Sequence, residues 1–263
     1  MKLNLLFLLR LKYIICGENM TINSEKNLLV VNLEILRPTQ LACGWQEVEA
    51  KEWEILDLKL PKLKSFLKNH PIPVVAGPNG KMYLIDRHHM GLALIRLADR
   101  WDWEERGEKK TNPYKNCHVQ IVLDHSKDVM SKDEFYKKLE KDGMLHPFDE
   151  YGQRVEIRDI PMSLADLKND PYRALAGFAR KAGAFEKSTM PYAEFKWADY
   201  FRNKIPSTLI KSNIQGALSL ALDLAINVEA ENLPGYTGVK ALGLKVNLTT
   251  FNEPTKSKAN KLK

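Results

Sequence analysis

PVVAGPNGKMYLIDRHHMGLAL, residues 73–94, is the stretch that decides the fold. Pro73–Ala76 and Met82–Ile85 are short apolar runs of β-branched and other large side chains. Gly77-Pro78-Asn79-Gly80 between them is a strong turn signal, so the two runs predict a β-hairpin. From His88 the period changes. Met90, Leu94, Leu97, Ala98 and Trp101 recur at helical spacing and form one apolar stripe. An acid, a guanidinium and two imidazoles (Asp86, Arg87, His88 and His89) stand where strand gives way to helix. At such a junction the first backbone N–H groups of the helix have no intrahelical partner and point at whatever binds. The arrangement suits phosphate binding or proton transfer. Asp86 is a candidate cap or general base, and Arg87 a bidentate clamp for phosphate or carboxylate. The histidines are candidate acid/base groups, phosphate donors or metal ligands. Adjacent helical side chains diverge, so His88 and His89 are not both expected to reach one ligand. The structural alternative is a capped helix with one buried and one exposed histidine.

Outward from this stretch, Leu29–Leu33 reads as a buried strand, broken by Arg37-Pro38-Thr39-Gln40. Trp45–Leu58 and Lys62–Lys68 read as helices, the second ending before His70-Pro71. Cys117–Leu123 is another strand. Ser131–Gly143 is a helix, with Ser131 as N-cap and Glu134 completing a capping box. From about Ser163 the pattern is almost wholly helical: Leu164–Lys168, Tyr172–Lys181, Tyr192–Arg202 and Thr208–Asn227. A soft boundary falls near 145–160. The expected organisation is an extension over 1–25, an α/β domain over 26–150, a helical domain over 151–240 and a basic tail over 241–263. The class is α+β, not a doubly wound sheet.

The chain has 263 residues, 44% of them apolar and 28% charged, which is ordinary for a globular protein with a sizeable core. Its net charge of +7 sits mostly at the ends. Residues 256–263 hold Lys256, Lys258, Lys261 and Lys263 and no acid, and residues 1–19 hold Lys2, Arg10 and Lys12 against Glu18. The body is nearly neutral, so bulk charge gives little support to nucleic-acid binding. Cys16, Cys43 and Cys117 are too few and too scattered for a disulfide framework or a metal knuckle. A reducing cytoplasm is the default. Leu3–Leu9 after Lys2 resembles a signal segment, which would imply export, but Arg10 and Lys12 interrupt it. Met20 is the favoured natural start. No other segment is apolar enough to span a membrane.

Two further groups are candidates. Glu47 and Lys51 are four residues apart on one helix face. They read as a surface ion pair or as a carboxylate and an ammonium aimed into the cleft of the hairpin. Arg180 and Lys187 are candidate ligand-pocket cations, while Phe195, Trp197 and Tyr200 read as helical core.

The 73–94 stretch resembles the ParB/sulfiredoxin superfamily and is most similar to its ParB-like nuclease branch, whose members carry Asp-x-His-His at the end of this hairpin. LRPTQLACGWQEVEAK, DPYRALAGFARKAGAFEKSTMPYAEFKWADYFR and LPGY extend the likeness over about residues 27–237. The resemblance implies a ParB/sulfiredoxin-like α/β N-terminal part followed by a mostly helical part. It implies phosphates held at the junction, with ATP, ADP or another nucleotide, and magnesium, as the cofactors. Free-serine kinases of the superfamily carry Asp-Gly-His-His-Arg. Asp86, His88 and His89 match that run; Arg87 replaces its glycine and Met90 its arginine. Glu47 lies where those kinases are expected to hold a catalytic acid. No cysteine precedes the histidines, so sulfiredoxin-type reduction is not expected. The function expected is a phosphate-binding nuclease or other enzyme of phosphoryl chemistry with Asp86, His88, His89 and Glu47 as catalytic groups. Arg87, Lys51, Arg180 and Lys187 would bind the ligand. The alternatives are a nucleotide-dependent small-molecule kinase and a non-catalytic nucleotide-binding module.

Overall fold

The computed structural model describes residues 28–104 and 111–238. The expected extension over 1–25 and the basic tail over 241–263 lie outside them. The described residues fall into two compact units, the first drawn from residues 28–42 and 55–168, the second from residues 43–54 and 169–238.

The first unit is built on a mixed sheet. Its strands are β1 (Leu28–Asn32), β2 (Leu36–Arg37), β4 (Ile72–Ala76), β5 (Met82–Leu84) and β6 (Asn116–Asp124), in the order β1-β6-β4-β5-β2. The predicted hairpin is formed: β4 and β5 are antiparallel, with Val74 opposite Leu84 and Val75 opposite Tyr83. β4 runs parallel to β6, and β2 runs parallel to β5. β4 is the central strand and all five of its residues are buried, which is why it reads as a continuous apolar run and not as an alternation.

Helices cover both faces. On one, Val75, Tyr83 and Val122 pack with Phe135, Tyr136 and Leu139 of α4 (Lys132–Lys141). On the other lies α3 (His88–Glu104), the helix predicted from the apolar stripe. A Cβ at Gly91 would come within 2.9 Å of Leu164 Cδ1, so this glycine lets α3 approach its neighbours closely. Helix α2 (Leu60–Asn69) buries Leu63 and Leu67. The capping box of α4 is present: Ser131 Oγ accepts from the Glu134 N–H at 3.2 Å, and Glu134 accepts from the Ser131 N–H at 2.8 Å.

The second unit is helical. It holds most of α1 (Trp45–Leu56), then α5 (Pro171–Lys181), α6 (Ala193–Arg202), α7 (Ser207–Ser212) and α8 (Ile214–Ala225). Trp197 is fully buried, stacked on Phe185 at 4.2 Å, and its indole N–H donates to Pro234 O. Phe195 and Trp197 are buried, as expected, and Tyr200 is partly buried against the helical core. Three local expectations fail. The strand read as buried over Leu29–Leu33 is β1 at the edge of the sheet, with Leu29 and Val30 exposed, because only β6 pairs with it. The helix read over Thr208–Asn227 is broken at Asn213, whose side chain accepts from the Gly216 N–H and caps a new helix. Leu164–Lys168 is not an α-helix but a single 3₁₀ turn, Leu164–Asp166, followed by β7 (Lys168–Asn169), which pairs with β3 (Ala42–Cys43).

Among the described residues no helix is long and apolar enough to cross a membrane. Ser131→Ala should destabilise the first unit by about 1 kcal/mol through loss of the cap, read as a lower urea midpoint at unchanged slope. Ser131→Asp, which keeps a capping acceptor, should recover most of that loss.

Candidate functional site

β5 ends at Leu84, and the next residue, Ile85, donates its N–H to Pro73 O at 3.2 Å. The chain then turns abruptly. Asp86 is exposed and its Oδ1 accepts the Arg87 N–H at 2.6 Å. Arg87 has φ +65°, in the left-handed region that favours glycine. It is one of two described non-glycine residues with positive φ, the other being Tyr192. For an L-residue this conformation costs roughly 1–2 kcal/mol. The Arg87 carbonyl accepts the Gly91 N–H at 3.0 Å, so the first helical hydrogen bond of α3 starts from this strained residue. Arg87 is half-buried. Burial pulls its guanidinium below the ordinary arginine value, and the Asp86 carboxylate opposes that shift. The first turn of α3 contains no acid, so nothing within it offsets the positive end of the helix dipole.

The two histidines separate. His88 is only 3% exposed. Its Nε2 accepts the Thr39 backbone N–H at 3.2 Å, and Thr39 Oγ1 donates to Leu84 O at 2.5 Å. A backbone amide can only donate, so this bond assigns the ring proton of neutral His88 to Nδ1. Thr39 thereby ties the loop after β2 to the end of β5 and to the start of α3. His89 is half-buried, one helical step of about 100° away. Met90 is buried in the core, so the position where the kinases carry arginine presents no charge here.

The remaining predicted residues belong to the second unit. Glu47, in the first turn of α1, lies 2.8 Å from Arg173 Nη1 and 3.2 Å from Lys181 Nζ. A Cβ at Gly177 would fall 2.3 Å from the Glu47 carboxyl carbon, so the glycine in the middle of α5 makes room for this carboxylate. Lys51, expected to share a face with Glu47, is ion-paired with Glu54 three residues on. Arg180 Nε is 2.8 Å from Glu194 Oε1. Burial alone would raise the Glu194 carboxyl, but Arg173 and Arg180 outweigh it and hold the group below the ordinary glutamate value. Lys187 is exposed. The sequence reading did not single out Thr39, Arg173 or Asp170. Asp170 caps α5 through the N–H groups of Tyr172 and Arg173 and pairs with Arg202 at 2.9 Å.

Among the described residues no group of three or more His, Cys, Asp or Glu is placed to hold a metal ion.

Substitutions at two positions separate scaffold from chemistry. Arg87→Gly should stabilise the protein by about 1 kcal/mol by relieving the left-handed backbone, measured by urea titration. A neutral or destabilising result would mean that side-chain contacts of Arg87 outweigh the strain. His88→Gln, whose Oε1 can accept the Thr39 amide, should fold nearly as well as the parent. His88→Leu should lose about 1–3 kcal/mol by leaving that buried N–H unpaired. Equal losses in both would argue against the Thr39 bond.

The crystal structure of protein Atu1540 from Agrobacterium tumefaciens is similar over 81% of this chain and 97% of its own, at 37% identity and a TM-score of 0.70. No curated protein matches. The family model described as "Putative ParB-like nuclease" matches residues 29–203, more than half of the chain and all of the Asp86–His89 junction, and the chain belongs to that family.

Proposed function

We propose that the Asp86–His89 junction binds a phosphate-bearing ligand, a nucleotide or a phosphodiester, and performs phosphoryl chemistry on it. The observation that carries this reading is Arg87. A basic residue is held in a strained left-handed conformation at the N-terminus of a helix with no acid in its first turn. Strain of this kind persists where the surroundings over-determine it, and it concentrates at ligand clamps and active sites. The description of the family points to phosphodiester hydrolysis. The nearly neutral body favours a small phosphorylated ligand or a short single strand over duplex DNA.

The roles follow from the geometry. Phosphate oxygens meet the first N–H groups of α3 and the Arg87 guanidinium, which stabilise charge as it develops on the transferring group. His89 exchanges the proton: it accepts from the attacking water and returns it to the leaving oxygen. His88 is spent on Thr39 and serves the scaffold. Asp86 fixes the turn through the Arg87 N–H and is the carboxylate available to a magnesium ion, which would supply further charge neutralisation when bound. Glu47, held between Arg173 and Lys181, is assigned to the integrity of the second unit and not to proton abstraction. Lys51, Arg180 and Lys187 are likewise left out of the site.

The test is a thermal-shift and turnover screen with magnesium against ATP, ADP, a chromogenic phosphodiester and short single-stranded DNA. A ligand at one hundred times its Kd should stabilise the protein by about 2.7 kcal/mol. Arg87→Gln should sharply reduce that shift. His89→Ala should keep the shift and lower kcat by about 10²–10⁴-fold. Binding without turnover of any substrate would leave a nucleotide-binding module in place of an enzyme. Unchanged binding in Arg87→Gln together with unchanged turnover in His89→Ala would refute the site. Transfer to a small hydroxyl acceptor, as in the kinases sharing Asp-x-His-His, would appear as ATP consumption that depends on the added acceptor.

A further inference from the structure

The junction leaves unused two polar groups of the first unit that are buried without a hydrogen-bond partner among the described residues: the Tyr136 hydroxyl and Arg37 Nε. Tyr136 is fully buried on α4. A buried phenol normally finds a partner, because an unpaired hydroxyl keeps its desolvation cost with nothing to offset it.

The two groups lie on one face of the sheet. Arg37 is opposite Tyr83 in the parallel β2–β5 ladder, so both side chains leave the sheet on the same side, the side covered by α4. The Tyr83 ring meets Tyr136 edge-on with centroids 5.7 Å apart, and Lys132 Nζ stands 5.1 Å from the Tyr136 ring centre. Burial raises both phenols above the ordinary tyrosine value, and the charge of Arg37 opposes that shift at both. Arg37 Nη1 donates to the carbonyls of Glu34 at 3.0 Å and Leu36 at 3.4 Å. That side of the guanidinium is committed to the backbone. The other edge, Nε with Nη2, is the edge that forks onto an oxyanion.

We propose that Arg37 and Tyr136 form a second ligand site, in which the Nε/Nη2 edge and the phenol hydroxyl donate to one oxyanion, a carboxylate or phosphate group of a small ligand. Lys132 adds positive charge beside it. The site lies under α4 and does not rest on phosphoryl chemistry at Asp86–His89.

The test follows the Arg37 Nε–H resonance by NMR during separate titrations with sodium phosphate and sodium acetate at constant ionic strength. The resonance should shift and saturate with at least one of them. Saturation by phosphate alone identifies a phosphate group, and saturation by acetate alone a carboxylate. Tyr136→Phe should melt no lower than the parent without anion, since it removes an unpaired buried hydroxyl, and should weaken anion binding by about tenfold, one hydrogen bond's worth. Arg37→Gln should abolish the oxyanion-induced rise in melting temperature that survives in Arg87→Gln. Arg87→Gln should also leave the affinity read at Arg37 unchanged, which separates this site from the junction. Absence of saturation with either anion would overturn the proposal and leave the two groups to an internal water. Undiminished affinity in Tyr136→Phe would overturn it as well.

Discussion

One hydrogen bond, from the Thr39 amide to His88 Nε2, joins stretches of chain 49 residues apart and fixes the candidate site. It occupies the buried imidazole, selects its tautomer, and holds the loop after β2 against the first turn of α3. Thr39 Oγ1 adds a second tie, to Leu84 at the end of β5. Between these two ties the chain turns, and Arg87 takes the left-handed conformation there. The side chain that glycine would lack is then delivered, charged, to the N-terminus of a helix. Two adjacent imidazoles thus differ in setting: His88 is buried against the Thr39 amide, and His89, to which we assign the proton transfer, is half-buried one helical step away.

Much of this arrangement was legible in the sequence because it is local. The Pro73–Ala76 and Met82–Ile85 runs around Gly77-Pro78-Asn79-Gly80 named the hairpin, and the stripe from Met90 to Trp101 named α3. Ser131 and Glu134 named the start of α4. What could not be read depends on long-range pairing. Nothing in Arg37-Pro38-Thr39-Gln40 says that its backbone will meet a histidine beyond the hairpin, and nothing in β2 says that it will run parallel to β5. The break at Asn213 was missed because an apolar period continues across it while the side chain of one residue caps a new helix. Left-handed backbone at Arg87 was hidden for the opposite reason: arginine is a residue for which such a conformation is not expected. Its replacement of the kinases' glycine was the only available sign.

The second unit shows the opposite use of charge. Glu47, Arg173, Lys181, Glu194 and Arg180 form paired ions around the middle of α5, and Gly177 gives up a side chain so that the Glu47 carboxylate can lie against the helix. Glycine in a helix interior costs roughly 0.5–1 kcal/mol relative to alanine, so the room it makes has to be worth that. Buried ions of this kind stabilise little beyond well-packed apolar residues, but losing one partner strands the other. Sequence alone offered Glu47 as a catalytic acid on the strength of its place in an early helix. In the structure its carboxylate lies between Arg173 and Lys181. The charge at the Asp86–His89 junction is arranged differently: Asp86 stands beside Arg87, and the first turn of the helix that follows contains no acid.

The most direct measurement is a long-range proton–nitrogen correlation spectrum of the histidine rings at neutral pH, recorded without and with a saturating phosphate ligand from the screen. The account predicts that His88 carries its proton on Nδ1, with Nε2 as acceptor, and that its signals stay in place when ligand is added while those of His89 move. A His88 ring protonated at Nε2, or one that responds to ligand while His89 does not, would contradict the division of labour on which the site depends.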